Sequence, residues 1–406
     1  MNIKFLLSTT FIATTMVSLS QDAHKTFAIT GDGQQDFMWM NIRQVDIASG
    51  KIVQDVYQRD KTSFVLMDAD SKKQSLAGQT PMQGPVAAAA YDKNQHKLFY
   101  TPMRIGELRW LDLNTNGNTQ KYYTVTATLL NNNEALNDEA NHFTRMVIAA
   151  DGNGYALTND ASRLVKFTTG KKVTITDLGS VIDDEANKNI SIRNKCTSWG
   201  GDMIADAYNN LYIISANHYV FVLDLKTRKA KQIGYISGLP ANYSTNGAAV
   251  DDDGNVVVCS ANTFAGYYKF SVKDFTATKI EGSDMVYNAS DLANGNLLYQ
   301  KEADAARTFA DFKPIVPVIT NEAHIYPNPV TNHEFKIYFD GQLPGKYNVS
   351  ITDLSGKAIS NRAITVNSKT QIETVPLSRN ISKGVYMVKV TDANNKFIFT
   401  ERIVVQ

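Results

Sequence analysis

The sequence predicts an all-β protein: a β-propeller of five to seven blades over residues 21–312, then a small immunoglobulin-like β-sandwich over residues 323–406. Three observations lead there. Residues 27–300 hold no convincing amphipathic helix; the longest candidate, Asn133 to Ala140, is short and acidic and reads as a loop with one helical turn. A four-strand unit recurs along the same stretch, as in repeat architectures. After a linker at residues 313–322, opened by Lys313-Pro314-Ile315-Val316-Pro317, short alternating strands and turn signals fill the remainder.

Composition sets the outer limits. The 406 residues are enough for two or three domains, and 43% apolar with 20% charged residues is ordinary for globular chains. Lys+Arg 41 nearly cancels Asp+Glu 40, so no overall field recruits nucleic acid. Two cysteines cannot build a disulfide scaffold, and six histidines leave little for a His-rich metal centre.

The first element is an address. Met1-Asn2-Ile3-Lys4 is a short basic start, Phe5 to Leu19 is uncharged, and Ser18 and Ser20 suit a signal peptidase. Residues 1–20 therefore read as a signal peptide handled by the Sec translocon and cut before Gln21. The apolar stretch is too short for a transmembrane helix, which needs roughly 20 apolar residues.

The repeat follows. Polar corners at Asp92, Asp151, Asp206, Asp251 and Asp291 end the first strand of each unit, at spacings of 59, 55, 45 and 40 residues. The second strands are Lys97 to Tyr100, Tyr155 to Thr158, Leu211 to Ile214, Val256 to Cys259 and Leu297 to Tyr299. The third strands are Leu108 to Leu113, Leu164 to Phe167, Val220 to Leu225 and Tyr267 to Val272. The fifth unit stops after its second strand, whereas Asn41 to Ile47 and Lys51 to Val53 match third and fourth strands. An open ring would leave two strand edges unpaired, so one blade is expected to take strands from both chain ends. Phe27 to Thr30 and Phe64 to Met67 leave room for six or seven blades.

In the last part the expected strands are Glu334 to Phe339, Gly345 to Asp353, Ala358 to Val366, Thr370 to Pro376, Gly384 to Thr391 and Lys396 to Val405. Tyr326-Pro327-Asn328-Pro329 opens this region, Asp353-Leu354-Ser355-Gly356-Lys357 lies mid-way, and Gly384-Val385-Tyr386-Met387 precedes the final strand. These motifs resemble the type A C-terminal sorting domain of type IX secretion substrates. The resemblance implies passage through the type IX machinery, removal of the domain by its sortase, and release or attachment to surface lipopolysaccharide. The chain ends on Gln406, where such domains often finish on lysine. The alternative is an immunoglobulin-like domain kept in the mature protein. Residues 21–312 resemble, in architecture alone, the quinoprotein-like and YVTN-type bacterial propellers, without the tryptophan-docking series of quinone-dependent dehydrogenases.

In a propeller the first strands line the central channel, so polar residues at their starts are the ligand candidates. These are Asn141, His142 and Arg145; Trp199 and Asp202; Asn246; and Asp284 and Asn288. A carboxylate with several amides suits a hard cation such as Ca²⁺, which makes Asp202 and Asn246 the weak metal candidates. Arg145 and His142 would serve an anionic or sugar-like substrate. The competing reading is that these groups merely solvate a wet channel. The run Asp112 to Gly117 matches half of a calcium loop, but Asn116-Gly117 is better read as a hairpin turn. Cys259 reads as a packed small hydrophobe, and a bond to Cys196 stays open. Hydrolase, zinc-protease and phosphate-loop signatures are absent. Two functions remain: a secreted or surface-displayed binding protein for an unknown glycan or protein, or an extracellular lactonase- or lyase-type enzyme with a channel-bound divalent metal.

Overall fold

The computed structural model describes residues 25–33, 36–74, 78–114, 119–125, 135–282, 286–311, 324–340, 342–368 and 370–406. The expected signal peptide, the linker, Asp284 and the Asn116-Gly117 turn lie outside these residues. The chain divides into two units, one up to Thr308 and one from Phe309 onward.

The first unit opens with β1 (Thr26–Thr30), β2 (Asn41–Val45), β3 (Ile52–Tyr57) and β4 (Phe64–Asp68). Four further sets follow: β5 (Val86–Asp92) to β8 (Gln120–Val125), β9 (Phe143–Ile148) to β12 (Ile175–Gly179), β13 (Ile182–Asp183) to β17 (Lys229–Tyr235), and β18 (Gly247–Val250) to β21 (Thr278–Lys279). Within them β6 is Lys97–Pro102, β7 Leu108–Asp112, β10 Gly154–Thr158, β11 Leu164–Phe167, β14 Asp202–Ala205, β15 Leu211–Ile214, β16 Tyr219–Leu223, β19 Val256–Cys259 and β20 Tyr268–Phe270. The last strand, β22 (Ala289–Asn294), pairs antiparallel with β1, Ile29 standing opposite Asp291. The innermost strands β5, β9, β14, β18 and β22 each touch the next, and β22 touches β5. This cycle makes a five-bladed propeller.

The expected closure by both chain ends is present, with a different division of strands. β22 supplies one strand and β1, β2 and β3 supply three. Leu297 to Tyr299 is therefore not a second strand: β1 already occupies that place. Instead Leu298 bridges in parallel to Asp206 at the end of β14 and is buried. Asp291 is likewise not a corner; it lies inside β22, fully buried. Phe64 to Met67 adds no blade. As β4 it pairs in parallel with β8 and covers the outer edge of that sheet. The helix α1 (Gln300–Asp311) escaped the sequence reading, although Lys301, Glu302, Ala303, Ala305 and Ala306 are good helix formers.

Convergence on one axis dictates residue size. Ala87, Ala88, Ala89 and Ala90 of β5, Ala248 and Ala249 of β18, and Ala289 and Ala293 of β22 are all buried. A Cβ on Gly247 would stand 2.7 Å from the Leu292 nitrogen, so β18 approaches β22 more closely than any side chain permits. Larger apolar residues fill the wedges between blades. Phe27, Ile29, Tyr57, Tyr91, Leu98 and Tyr122 form one such cluster, which joins the closing blade to its neighbour.

The second unit is a sandwich of two sheets. One contains β23 (His324–Tyr326), β24 (Glu334–Asp340) and β27 (Thr370–Pro376); the other β25 (Gly345–Asp353), β26 (Ala358–Val366), β28 (Gly384–Asp392) and β29 (Phe397–Val405). Alternating residues of both sheets share one core: Phe335, Ile337 and Phe339 against Val349, Ile351, Val388 and Val390. The Asn328 carboxamide acts as a strand extension. Its Nδ2 donates to Arg402 O at 2.7 Å and its Oδ1 accepts from Val404 N at 3.0 Å, tying the opening motif to β29. Tyr347 and Tyr386 each donate a hydroxyl to a carbonyl four residues upstream, Leu343 and Ser382, both at 2.7 Å. Gly356, with φ +84°, supplies the left-handed residue of the turn at Asp353 to Lys357.

If pairing of β1 holds the ring, truncating its core side chain should weaken the whole propeller. Ile29→Ala is expected to cost about 2–5 kcal/mol, measured by urea denaturation. Val53→Ala on exposed β3 should stay within roughly 0.5 kcal/mol of the parent.

Candidate functional site

In every blade the innermost strand starts on the same face as the loop that follows the second strand. Thr30 stands opposite Ala289, Thr158 opposite Phe143, Ile214 opposite Asp202 and Cys259 opposite Gly247. Residues 31–33 and 36–40 and loops 103–107, 159–163, 215–218 and 260–267 therefore surround the strand starts and form the mouth of the ring.

The candidates before β9 and β14 are held by backbone. A 3-10 turn, Glu139–Asn141, is capped by Asp138 and ends at buried His142. His142 Nε2 stands 2.8 Å from Leu136 O; a carbonyl only accepts, so that nitrogen carries the proton. Arg145 is completely buried: Nε donates to Gly200 O at 3.0 Å, Nη1 to Thr158 O at 3.1 Å, and Nη2 to Ser198 O. Burial pushes its pKa down to about 10, with Asp160 and Asp202 opposing the shift. Trp199 donates Nε1 to Arg193 O at 2.9 Å, and the Lys195 ammonium lies 5.1 Å from its ring. These donors are committed to chain carbonyls, so Arg145 staples the 195–200 loop to β9 and β10, and His142 closes the 136–142 turn on itself.

Asp202 lies deeper. A Cβ on Gly201, at φ +85°, would fall 1.8 Å from Ile214 O, so only glycine lets β14 start against β15 here. The carboxylate that follows is fully buried; it accepts from Met203 N at 2.7 Å and from Ala248 N at 2.6 Å. Burial pushes it up, against the pull of the Ala248, Met203 and Leu292 amides and of Arg145.

Asn246 and Asn288 come together around Ala261. Asn246 Oδ1 accepts from Ala261 N at 3.0 Å, and Asn288 Nδ2 donates to Ala261 O at 2.6 Å. An N–H donor fixes the Asn246 carboxamide with its oxygen toward Ala261 and its NH₂ turned away. Ser244, Ser260, Asn262 and Thr263 continue this amide and hydroxyl cluster. Asn288 also reaches Asp36 O at 3.4 Å, which brings in loop 31–40.

That loop holds residues the sequence reading passed over. Phe37 and Phe264 are 49% and 41% exposed, with ring centroids 6.1 Å apart, and Trp39 meets Phe37 edge-on at 6.3 Å. The signal was the run Phe37-Met38-Trp39-Met40, large apolar residues where a turn should be polar. Asp202 and Asn246 thus bind different partners. Among the described residues no three His, Cys, Asp or Glu side chains stand together as a metal set. Cys196 is exposed and Cys259 buried, and neither is bonded. Burial raises the Cys259 thiol, which keeps it protonated.

With the geometry in place, the comparisons add one firm point. Residues 324–406 match the family described as the secretion system C-terminal sorting domain. The match covers the sandwich and begins at β23, one residue after the boundary read from the sequence. No curated protein matches the chain. Among solved structures, PorZ is described as an essential bacterial surface component of the type-IX secretion system of Porphyromonas gingivalis. It is similar at 16% identity over 94% of this chain and 51% of its own, with TM-score 0.33. The chain thus spans about half of PorZ. Virginiamycin B lyase of Staphylococcus aureus matches at 11% identity over 94% and 96% of the two chains, TM-score 0.31. A putative 6-phosphogluconolactonase of Bacteroides fragilis matches at 10% over 67% and 98%, TM-score 0.36. These scores are low, and the propeller is read from the chain's own strand pairing. Among the described residues no helix is long and apolar enough to cross a membrane.

The staple role of Arg145 is testable. Arg145→Met leaves the Thr158, Ser198 and Gly200 carbonyls without their donor and should cost about 3 kcal/mol or more by urea denaturation. Limited proteolysis should then cut within residues 195–200 faster than in the parent.

Proposed function

We propose that this chain is a secreted or cell-surface binding protein, exported through the type IX system, whose propeller mouth recognises a glycan or a protein. One observation carries the binding reading: exposed Phe37 and Phe264 share a rim with the Asn246 amide, whose orientation is fixed by the Ala261 amide. Aromatic faces take the apolar side of a sugar ring or side chain, and fixed amides add direction. The arginine staples hold the surrounding loops, so little ordering is left for the binding step.

Export rests on the sorting-domain match at residues 324–406. In this reading the Sec translocon and signal peptidase act first, the type IX machinery and its sortase next, and lipopolysaccharide is the surface anchor. The enzyme alternative requires Asp202 and Asn246 to face one Ca²⁺, whereas the oxygens of both accept from backbone amides.

Two measurements test this. Removing residues 324–406 should strand the folded propeller in the periplasm, read by fractionation; unchanged secretion overturns the export reading. On a glycan array and in a surface-protein pull-down, Phe37→Ser with Phe264→Ser should reduce capture at least about tenfold relative to the parent. Equal capture by both, or none by the parent, removes the mouth as the binding surface.

A further inference from the structure

The centre of the ring holds two carboxyls that no binding role at the mouth employs. Asp202 on β14 and Asp291 on β22 are both wholly buried, and the Leu292 amide beside Asp291 faces the Asp202 carboxylate. Their surroundings differ. Asp202 accepts from two backbone amides, at 2.6 and 2.7 Å, and Arg145 favours its charge. Neither oxygen of Asp291 has a hydrogen-bond partner. The Ala89 amide faces Asp291 short of hydrogen-bond geometry.

A dry carboxylate without a donor is among the most costly groups a fold can hold, and a like charge nearby adds to the cost. Asp202 has its donors and Asp291 has none, so a second charge in the same buried region falls hardest on Asp291. The groups that hydrogen-bond Asp202 are N–H donors, which stabilise an anion and repel a metal ion.

We infer that Asp202 and Asp291 form a single-proton site at the centre of the ring, with Asp202 the carboxylate and Asp291 the neutral acid. The proton sits on β22, the strand that closes the ring. β1 and β18 offer no titratable side chain, β5 brings the Ala89 amide and Tyr91, β19 brings the Cys259 thiol, and Arg145 on β9 acts on Asp202. Asp92 closes β5 at its far end, and β15, paired with β14, brings Tyr212. Burial and the Asp202 charge hold Asp291 well above the usual carboxylate range.

The sign of the linkage follows. The folded chain keeps a proton that the unfolded chain has already lost above the ordinary aspartate range. Stability therefore falls as pH rises through that window and is fully present only below it.

The experiment is thermal unfolding of the full chain followed by tryptophan fluorescence, which reads the propeller because all three tryptophans lie there. Asp291→Asn, which keeps the shape of the neutral acid, should melt higher than the parent at about pH 8, the gap closing toward about pH 4. Asp202→Asn should melt lower throughout, because its NH₂ would face either the Ala248 or the Met203 amide, donor against donor. An infrared acid C=O band at neutral pH should be present in the parent and missing from Asp291→Asn. A gap between the parent and Asp291→Asn that does not change with pH overturns the proposal, as does an Asp291→Asn that melts lower at alkaline pH. If millimolar CaCl₂ raises the melting temperature of the parent but not of Asp291→Asn, a metal ion occupies the site and the proton assignment falls.

Discussion

The pairing of β22 with β1 is the constraint on which the first unit depends. Through it a linear series of sheets becomes a cycle, and both free edges vanish at once. Closure at five blades brings the inner strands close together, which is why they are built from alanine and glycine. It is also why Asp202 of one blade can accept from the Ala248 amide of the next. The residues at the centre follow from the number of blades.

Around that centre buried arginines hold the loops by their carbonyls. Arg43 donates to Gly31 O at 2.7 Å and to Asp55 at 2.9 Å. Arg109 donates to the Thr80 and Pro81 carbonyls, both at 2.7 Å, and pairs with Glu107. Arg145 does the same for the 195–200 loop. Each guanidinium has several donors in a fixed fork, so one side chain can satisfy carbonyls that a loop would otherwise leave bare. The result is a mouth whose backbone is set before any ligand arrives. The aromatic rings at its rim are left exposed.

Much of this was legible in the chain itself. The second and third strands of four blades, the closure by both ends and all but one of the strands of the sandwich follow from period-two alternation and turn residues. The failures share a cause. Leu297-Leu298-Tyr299 looks like a strand locally, but its partner position was already filled by β1 from the other end of the chain. Asp291 looks like a corner because four other aspartates are corners, yet β22 runs on to Asn294 and places it inside the strand. Helix α1 was missed between the last expected strand and the linker, despite strong local propensity.

The sequence alone determined the class of fold, the order of its strands and the sorting region at its end, because these depend on patterns within a few residues. Tertiary structure decided the chemistry of the candidate site. It turned Arg145 into a staple and His142 into the closure of its own turn, grouped Asn246 with Asn288, and set Asp202 beside Asp291. Such outcomes depend on where a polar atom from one strand meets an atom from another far along the chain, and no local pattern carries that information.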